Sequence, residues 1–302
     1  MNNKLSAILL IGVLSTGLIF IHPAYAHNFG GDQSASWLAK VAEIKAETNL
    51  VSTHVKDKKA IDYYADALGE YWNSNDTKEM GERNALLQKE IPDTINAVID
   101  SAKAANQNAV NDNVSKLNDY LDESIPVRID KDKLNNSTVQ ALAVVFVLKE
   151  ALEKYGTAIN STVDLNDMSQ MSMNESMSGG SMSGMSMSRT VVDQNSYDNS
   201  IGLASTAQHM FTDVSSKNPD KTDTNNKVTS AFTKLIKDLS AKADEKTVMI
   251  DVHENIHPSL VSGYDIQEAT TAVPEFPLPG LLVLVSIAGV IAATRFKPHL
   301  GF

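Results

Sequence analysis

The chain reads as an all-α protein, with a helical bundle, a smaller helical hairpin, a flexible linker between them and a C-terminal transmembrane helix. Three observations predict this. Apolar residues recur at three- and four-residue steps over 37–155 and again over 203–256, the period of one helix face. Sustained strand-type alternation is absent. Between the periodic regions, residues 161–190 are chiefly Ser, Met, Asn, Asp and Gly, a composition that buries no core.

In chain order, Lys4 gives a short basic start, Ala7 to Ile21 an apolar run, and Ala24-Tyr25-Ala26 a small-x-small cleavage site. Residues 1–26 therefore read as a secretory signal peptide, and cleavage after Ala26 leaves His27 as the new N-terminus. Residues 27–160 form the expected bundle. Trp37, Val41, Ile44, Thr48, Val51 and Val55 make its first stripe, and Ile61, Tyr64, Leu68 and Tyr71 its second. Leu87, Ile91, Ile95 and Val98 continue the pattern through Pro92, where a missing N–H predicts a kink or break. Val110, Val114, Leu117 and Leu121 form another stripe. "VQALAVVFVLKEALEKY", 139–155, is apolar nearly all round at its start and is the expected central helix. Asn135, Asn136 and Ser137 offer its N-cap and Gly156 its C-cap.

Beyond the linker, Leu203, Ala207, Met210 and Val214 restart a helix, and Val228, Ala231, Leu235 and Leu239 form the next. Residues 244–256 give a last one, completing a second helical segment at 191–258, where Pro258 is expected to stop it. Residues 259–277 read as a stalk, 278–296 as a transmembrane anchor and 297–302 as a short cytoplasmic tail. The apolar run, Leu278 to Thr294, is at the short end of the roughly 17–25 residues a spanning helix needs. Arg295 and Lys297 follow it, so the positive-inside rule places the N-terminus and the body on the extracytoplasmic face of a single-pass protein.

The absence of cysteine excludes disulfides and thiolate metal sites, and the net charge of −11 argues against nucleic acid as a partner. Asn-x-Ser/Thr sequons at Asn75, Asn113, Asn135, Asn136, Asn160 and Asn174 permit glycosylation without requiring it. "VPEFPLPGLLVLVSIAGVIAATRF" resembles the PEF-type C-terminal sorting signals of archaeal surface proteins, through Pro274-Glu275-Phe276, the apolar run and the basic tail. That resemblance implies a cell-surface protein, its helix retained as an anchor or removed by a sortase-like enzyme. The whole chain is similar to exported helical proteins of ammonia-oxidising archaea.

Seven of the chain's eleven methionines fall between Met168 and Met187. They are Met168, Met171, Met173, Met177, Met182, Met185 and Met187, at M-x-M, M-x-x-M and somewhat wider spacings. Thioether sulfur is a soft neutral donor that suits Cu(I), and outside the cell it is a safer donor than a thiol. A linker ordinarily avoids exposed apolar side chains, so the methionines are expected to be the working part. The stretch resembles methionine-rich segments of copper-resistance and copper-transport proteins. Two other readings are a linker in which methionine is tolerated and an oxidant sink. His27, with its freed α-amine, would chelate Cu(II), with His54, His209, His253 or His257 as a second ligand.

"HENIH", 253–257, matches the zinc-peptidase pattern H-E-x-x-H, with His253 and His257 as ligands and Glu254 as base. The expected helix stop at Pro258 and the scarcity of further ligands argue against a zinc-dependent hydrolase, and no catalytic residue is assigned. A plainer metal site from Met249, His253 and His257, on one helix face, is the alternative. Lys149-Glu150-Ala151-Leu152-Glu153 is similar to the carboxylate pairs of iron permeases, although such spacing is common on solvated faces. Together these features predict a membrane-anchored, copper-binding surface protein that acquires, buffers or delivers copper to a copper-dependent surface enzyme or transporter. A surface scaffold with a passive linker is the structural alternative.

Overall fold

Helix α1, Gln33–Thr53, is buried on two faces, and this decides the architecture. The structure, a computed structural model, describes residues 33–166 and 188–266. In order, the helices after α1 are α2 (Lys58–Tyr71), α3 (Ser74–Arg83), α4 (Ala85–Lys103), α5 (Gln107–Arg128), α6 (Lys131–Leu134) and α7 (Ser137–Ala158). Then come α8 (Gln194–Lys217), a 3-10 turn (Pro219–Lys221), α9 (Thr222–Ser240), α10 (Glu245–Met249), a π-helical turn (Ile250–Ile256) and α11 (His257–Gly263). No strand occurs among the described residues, so the all-α class holds for them.

Two apolar cores form, and α1 supplies residues to both. Its Trp37, Val41, Ile44 and Val51 pack with residues of α2, α4 and α5, among them Tyr64, Leu68, Ile91, Val98, Leu117 and Leu121. Its Ala35, Ala39 and Ala46 belong to the other core, on the side of α7 and α8, a core that α9 and the C-terminal helices complete. The small alanines let α7 approach closely. The side chains of Val144, Leu148, Leu203, Phe211 and Phe232 fill that second core. Each fully buried side chain of this size contributes about 1.5–3 kcal/mol.

Side-chain caps start most of the helices. Asp57, Asn84 and Asp193 each accept from two backbone N–H groups at the starts of α2, α4 and α8. Asn136 does the same for α7, which matches one of its expected N-caps.

The structure differs from the sequence reading at four places. Of the kink or break expected at Pro92, the break is absent, since α4 runs through it. Gly156 is not a C-cap. The helix continues to Ala158, because Ala158 and Ile159 are buried, and Asn160 takes the left-handed position at φ 52°. Pro258 does not stop its helix either. The preceding turn is π-helical, the His257 N–H donating to the carbonyl of Val252, five residues back. This wider turn relieves the proline ring's clash with the preceding turn, and α11 follows directly.

The fourth difference is the division of the chain. The helices after the linker are not a separate hairpin, since α8 lies along α7 and α1 in one shared core, and the described residues 33–166 and 188–266 fall in one compact unit. Residues 259–266, expected to begin a stalk, belong to that unit. Leu260, Tyr264 and Ile266 are buried, Thr138 Oγ1 donates to the Tyr264 carbonyl at 2.7 Å, and Tyr264 Oη donates to Asn225 Oδ1 at 2.6 Å. Among the described residues no helix is long and apolar enough to cross a membrane. The expected signal peptide, the remainder of the stalk, the anchor at 278–296 and the tail lie outside them.

Tyr264 separates a stalk from a packed body by experiment. Tyr264→Ala is expected to cost about 3–5 kcal/mol in urea unfolding of the full chain, as truncation of a buried aromatic does, where a stalk residue would cost almost nothing.

Candidate functional site

The expected copper ligands Met168, Met171, Met173, Met177, Met182, Met185, Met187 and His27 lie outside the described residues. The residues that hold the two ends of the methionine segment are described. On the N-terminal side, Leu165 is buried at 2% exposure, against Gly156, where a Cβ would stand 3.7 Å from Leu165 Cδ1. Its carbonyl accepts a hydrogen bond from His253 Nε2–H at 2.7 Å, across 88 residues of chain. A carbonyl only accepts, so this bond fixes the proton on Nε2. Asn166 N–H donates to Asp164 Oδ1 at 2.9 Å, closing a local turn just before the segment.

On the C-terminal side, Ser188 Oγ donates to the Ala241 carbonyl at 3.3 Å and Arg189 N–H to the Lys242 carbonyl at 2.7 Å. The Arg189 guanidinium meets one Glu245 carboxylate oxygen through Nε at 2.7 Å and Nη2 at 2.6 Å. Both ends of the methionine segment are thus fastened to one stretch, residues 241–253. Glu245 lies on α10, and His253, eight residues on, lies in the π-helical turn that follows it.

The H-E-x-x-H residues are spread across the helix surface. His253 is buried, Glu254 is exposed and His257 is half-buried, while Met249 is buried one turn earlier. A metal at His253 Nε2 would have to displace the Leu165 carbonyl. Of the other histidines considered, His54 packs its ring 5.4 Å from that of Tyr64, and its Nε2 is 3.8 Å from Asp198 Oδ2. His209 is exposed on α8. Among the described residues no group of three or more His, Cys, Asp or Glu side chains is placed to hold a metal ion.

A second polar constellation lies inside the bundle, where α1, α2, α7 and α8 meet. Glu43 and Glu47 are buried on α1, one turn apart. Glu150 on α7 accepts from Tyr71 Oη of α2 at 3.1 Å and from Lys154 Nζ at 3.0 Å. Asn199 Nδ2 of α8 donates to Glu47 Oε1 at 2.6 Å. Burial pushes the Glu43 carboxyl up to about 8, aided by the negative charges of Glu150 and Glu47 and opposed by Lys40 and Lys154. Burial likewise pushes Glu47 up to about 7 against the Asn199 hydrogen bond and Lys154, which favour its charged form. Burial works against the Lys154 ammonium, yet Glu150 more than compensates and holds its pKa above the usual lysine range.

This layer is absent from the sequence reading. Its one signal was Glu43 and Glu47 at i, i+4 on a helix whose other residues are mostly apolar or small. The stretch Lys149 to Glu153 had been read as a solvated face. Glu153 is exposed, but Glu150 turns inward. The iron-permease pattern, which needs both carboxylates together, is therefore not assembled.

Comparison of the chain with protein-family models, with curated proteins and with solved structures returns no match.

Lys154 is the ammonium opposite the carboxyls of α1 and α7. Lys154→Met is expected to cost about 3–5 kcal/mol at alkaline pH, where the carboxyls lose their protons with no cation facing them. The loss should shrink in acid, where protons neutralise the same groups. Urea unfolding of the full chain at the two pH extremes measures both.

Proposed function

We propose that the chain is a cell-surface, membrane-anchored copper-binding protein. In this reading the thioethers of Met168, Met171, Met173, Met177, Met182, Met185 and Met187 hold Cu(I), and His27 provides a Cu(II) chelate at the processed N-terminus. The role is acquisition, buffering or delivery of copper to a copper-dependent surface enzyme or transporter, and it is a binding role rather than a catalytic one. The C-terminal apolar run serves as the membrane anchor, with the body outside.

The observation that carries the reading is the concentration of seven methionines in a segment whose two ends are fastened to one short stretch of the folded body. Soft thioether donors at M-x-M and M-x-x-M spacing match the preference of Cu(I). Tying both ends of a donor segment to one place raises the effective concentration of each donor for an ion held by another.

The test is an anaerobic Cu(I) competition titration on the full chain in detergent, beside a variant with all seven segment methionines changed to serine. The expected outcome is tight binding in the parent and a loss of at least about a hundredfold in the variant, because serine hydroxyls are poor ligands for a soft ion. Equal binding in both overturns the assignment of the methionines, and absence of binding in both overturns the copper reading itself.

A further inference from the structure

The geometry points to a proton-binding site inside the bundle: Glu47 is carried as a neutral carboxylic acid that shares its proton with Asn199, and this couples the hold of α1 on α8 to pH. Glu47 and Asn199 are both completely enclosed, at 0% exposure. One bond between them is in place, from Asn199 Nδ2 to Glu47 Oε1 at 2.6 Å. The other oxygen of each group, Glu47 Oε2 and Asn199 Oδ1, is buried with no hydrogen-bond partner. Both are acceptors while Glu47 is ionised, and two acceptors cannot satisfy each other. An amide does not titrate. A proton on Glu47 Oε2 is therefore the change within the pair that turns an acceptor into a donor, and donation to Asn199 Oδ1 would satisfy both orphaned atoms at once.

Burial favours the same state, with the negative charges of Glu150 and Glu70 adding to it and Lys154 opposing it. From α7, Glu150 and Lys154 face the pair. From α2 come Glu70 and the phenols of Tyr64 and Tyr71, and from α8 comes Asn199, with Asp193 and Asp198 acting on Tyr64. Lys40 and Glu43 contribute from α1 itself, and none of the charges that weigh most on either carboxyl comes from α4 or α5. With Glu43, Glu47 and Glu150 all ionised, the Lys154 ammonium leaves an enclosed excess of negative charge, which protons remove. A metal ion is the weaker candidate, because Lys154 already supplies a cation there and no metal-holding group of carboxylates is assembled among the described residues.

The consequence for stability follows from the proton count. An ordinary glutamate ionises near 4.5, whereas the folded Glu47 and Glu43 hold their protons to about 7 and about 8. Between those values the folded state binds more protons than the unfolded state, so stability falls as pH rises. The contribution is complete below the unfolded value and is fully lost once pH passes the folded values.

The experiment is thermal unfolding of the full chain from about pH 5 to about pH 9, for the parent and for Glu47→Gln, together with infrared detection of protonated carboxyl groups. Glutamine has the shape and donor pattern of the neutral acid. The parent should lose melting temperature with rising pH, and Glu47→Gln should lose less and melt above the parent at the alkaline end. The parent should show a protonated-carboxyl band at neutral pH that weakens in Glu47→Gln. Parallel pH profiles overturn the inference, as does a neutral-pH band unaffected by the substitution. A Glu47→Gln chain that does not fold at any pH also overturns it, since the amide would then have failed to replace the acid. No copper enters the measurement, so its outcome is independent of the methionine reading.

Discussion

The rest of the structure depends on α1 being buried on two faces, with no fully exposed residue between Trp37 and Thr48. A helix that feeds two cores must be small on one side and large on the other, and α1 places Ala35, Ala39 and Ala46 toward α7 but Trp37, Val41 and Ile44 toward α2, α4 and α5. The same burial encloses whatever polar groups the helix carries. Glu43 and Glu47 are enclosed because they lie on that helix, and their neighbours Lys154, Glu150, Asn199 and Tyr71 are arranged around them. An enclosed carboxyl is tolerated only if it is paired, hydrogen-bonded or neutral, and the layer combines all three solutions.

The same architecture explains why both ends of the methionine segment are held. Helices α7 and α8 precede and follow that segment, and they pack along each other in one core. Leu165 and Arg189, on either side of the segment, are accordingly both held by residues 241–253. His253 serves as a structural donor to the Leu165 carbonyl. Its ring is a poor candidate for the first ligand of a zinc site, since the nitrogen that H-E-x-x-H chemistry would use already carries a proton and a partner.

The helices were legible because their apolar stripes are long and their period unambiguous, and Ile61–Tyr71, Val110–Leu121 and Val228–Leu239 fall within α2, α5 and α9. The grouping of helices was not legible. A low-complexity break at 161–190 looks like a domain boundary, but composition says nothing about which helices meet in space, and the alanine face of α1 that joins the halves carries a weak apolar signal. Pro258 misled for a related reason. The rule that proline ends a helix assumes α-helical bonds upstream, and the π turn at Ile250–Ile256 removes that premise. Glu47 was invisible as a site because its meaning lies in Asn199, 152 residues away. The methionine cluster shows the reverse case, conspicuous in sequence because no core explains it.

These two sets of residues respond to different variables, and this separates their roles. A thioether has no proton to lose, so the copper binding proposed for the methionines would be nearly independent of pH. The carboxyls of α1 titrate in the neutral range but are enclosed and hard, with little affinity for a soft ion. A change in copper binding with pH would therefore have to reach the segment through the body. The route available is the hold of α1 on α7 and α8, the helices that precede and follow the segment in sequence. The fastening of Leu165 to His253 and of Arg189 to Glu245 is where such coupling would enter.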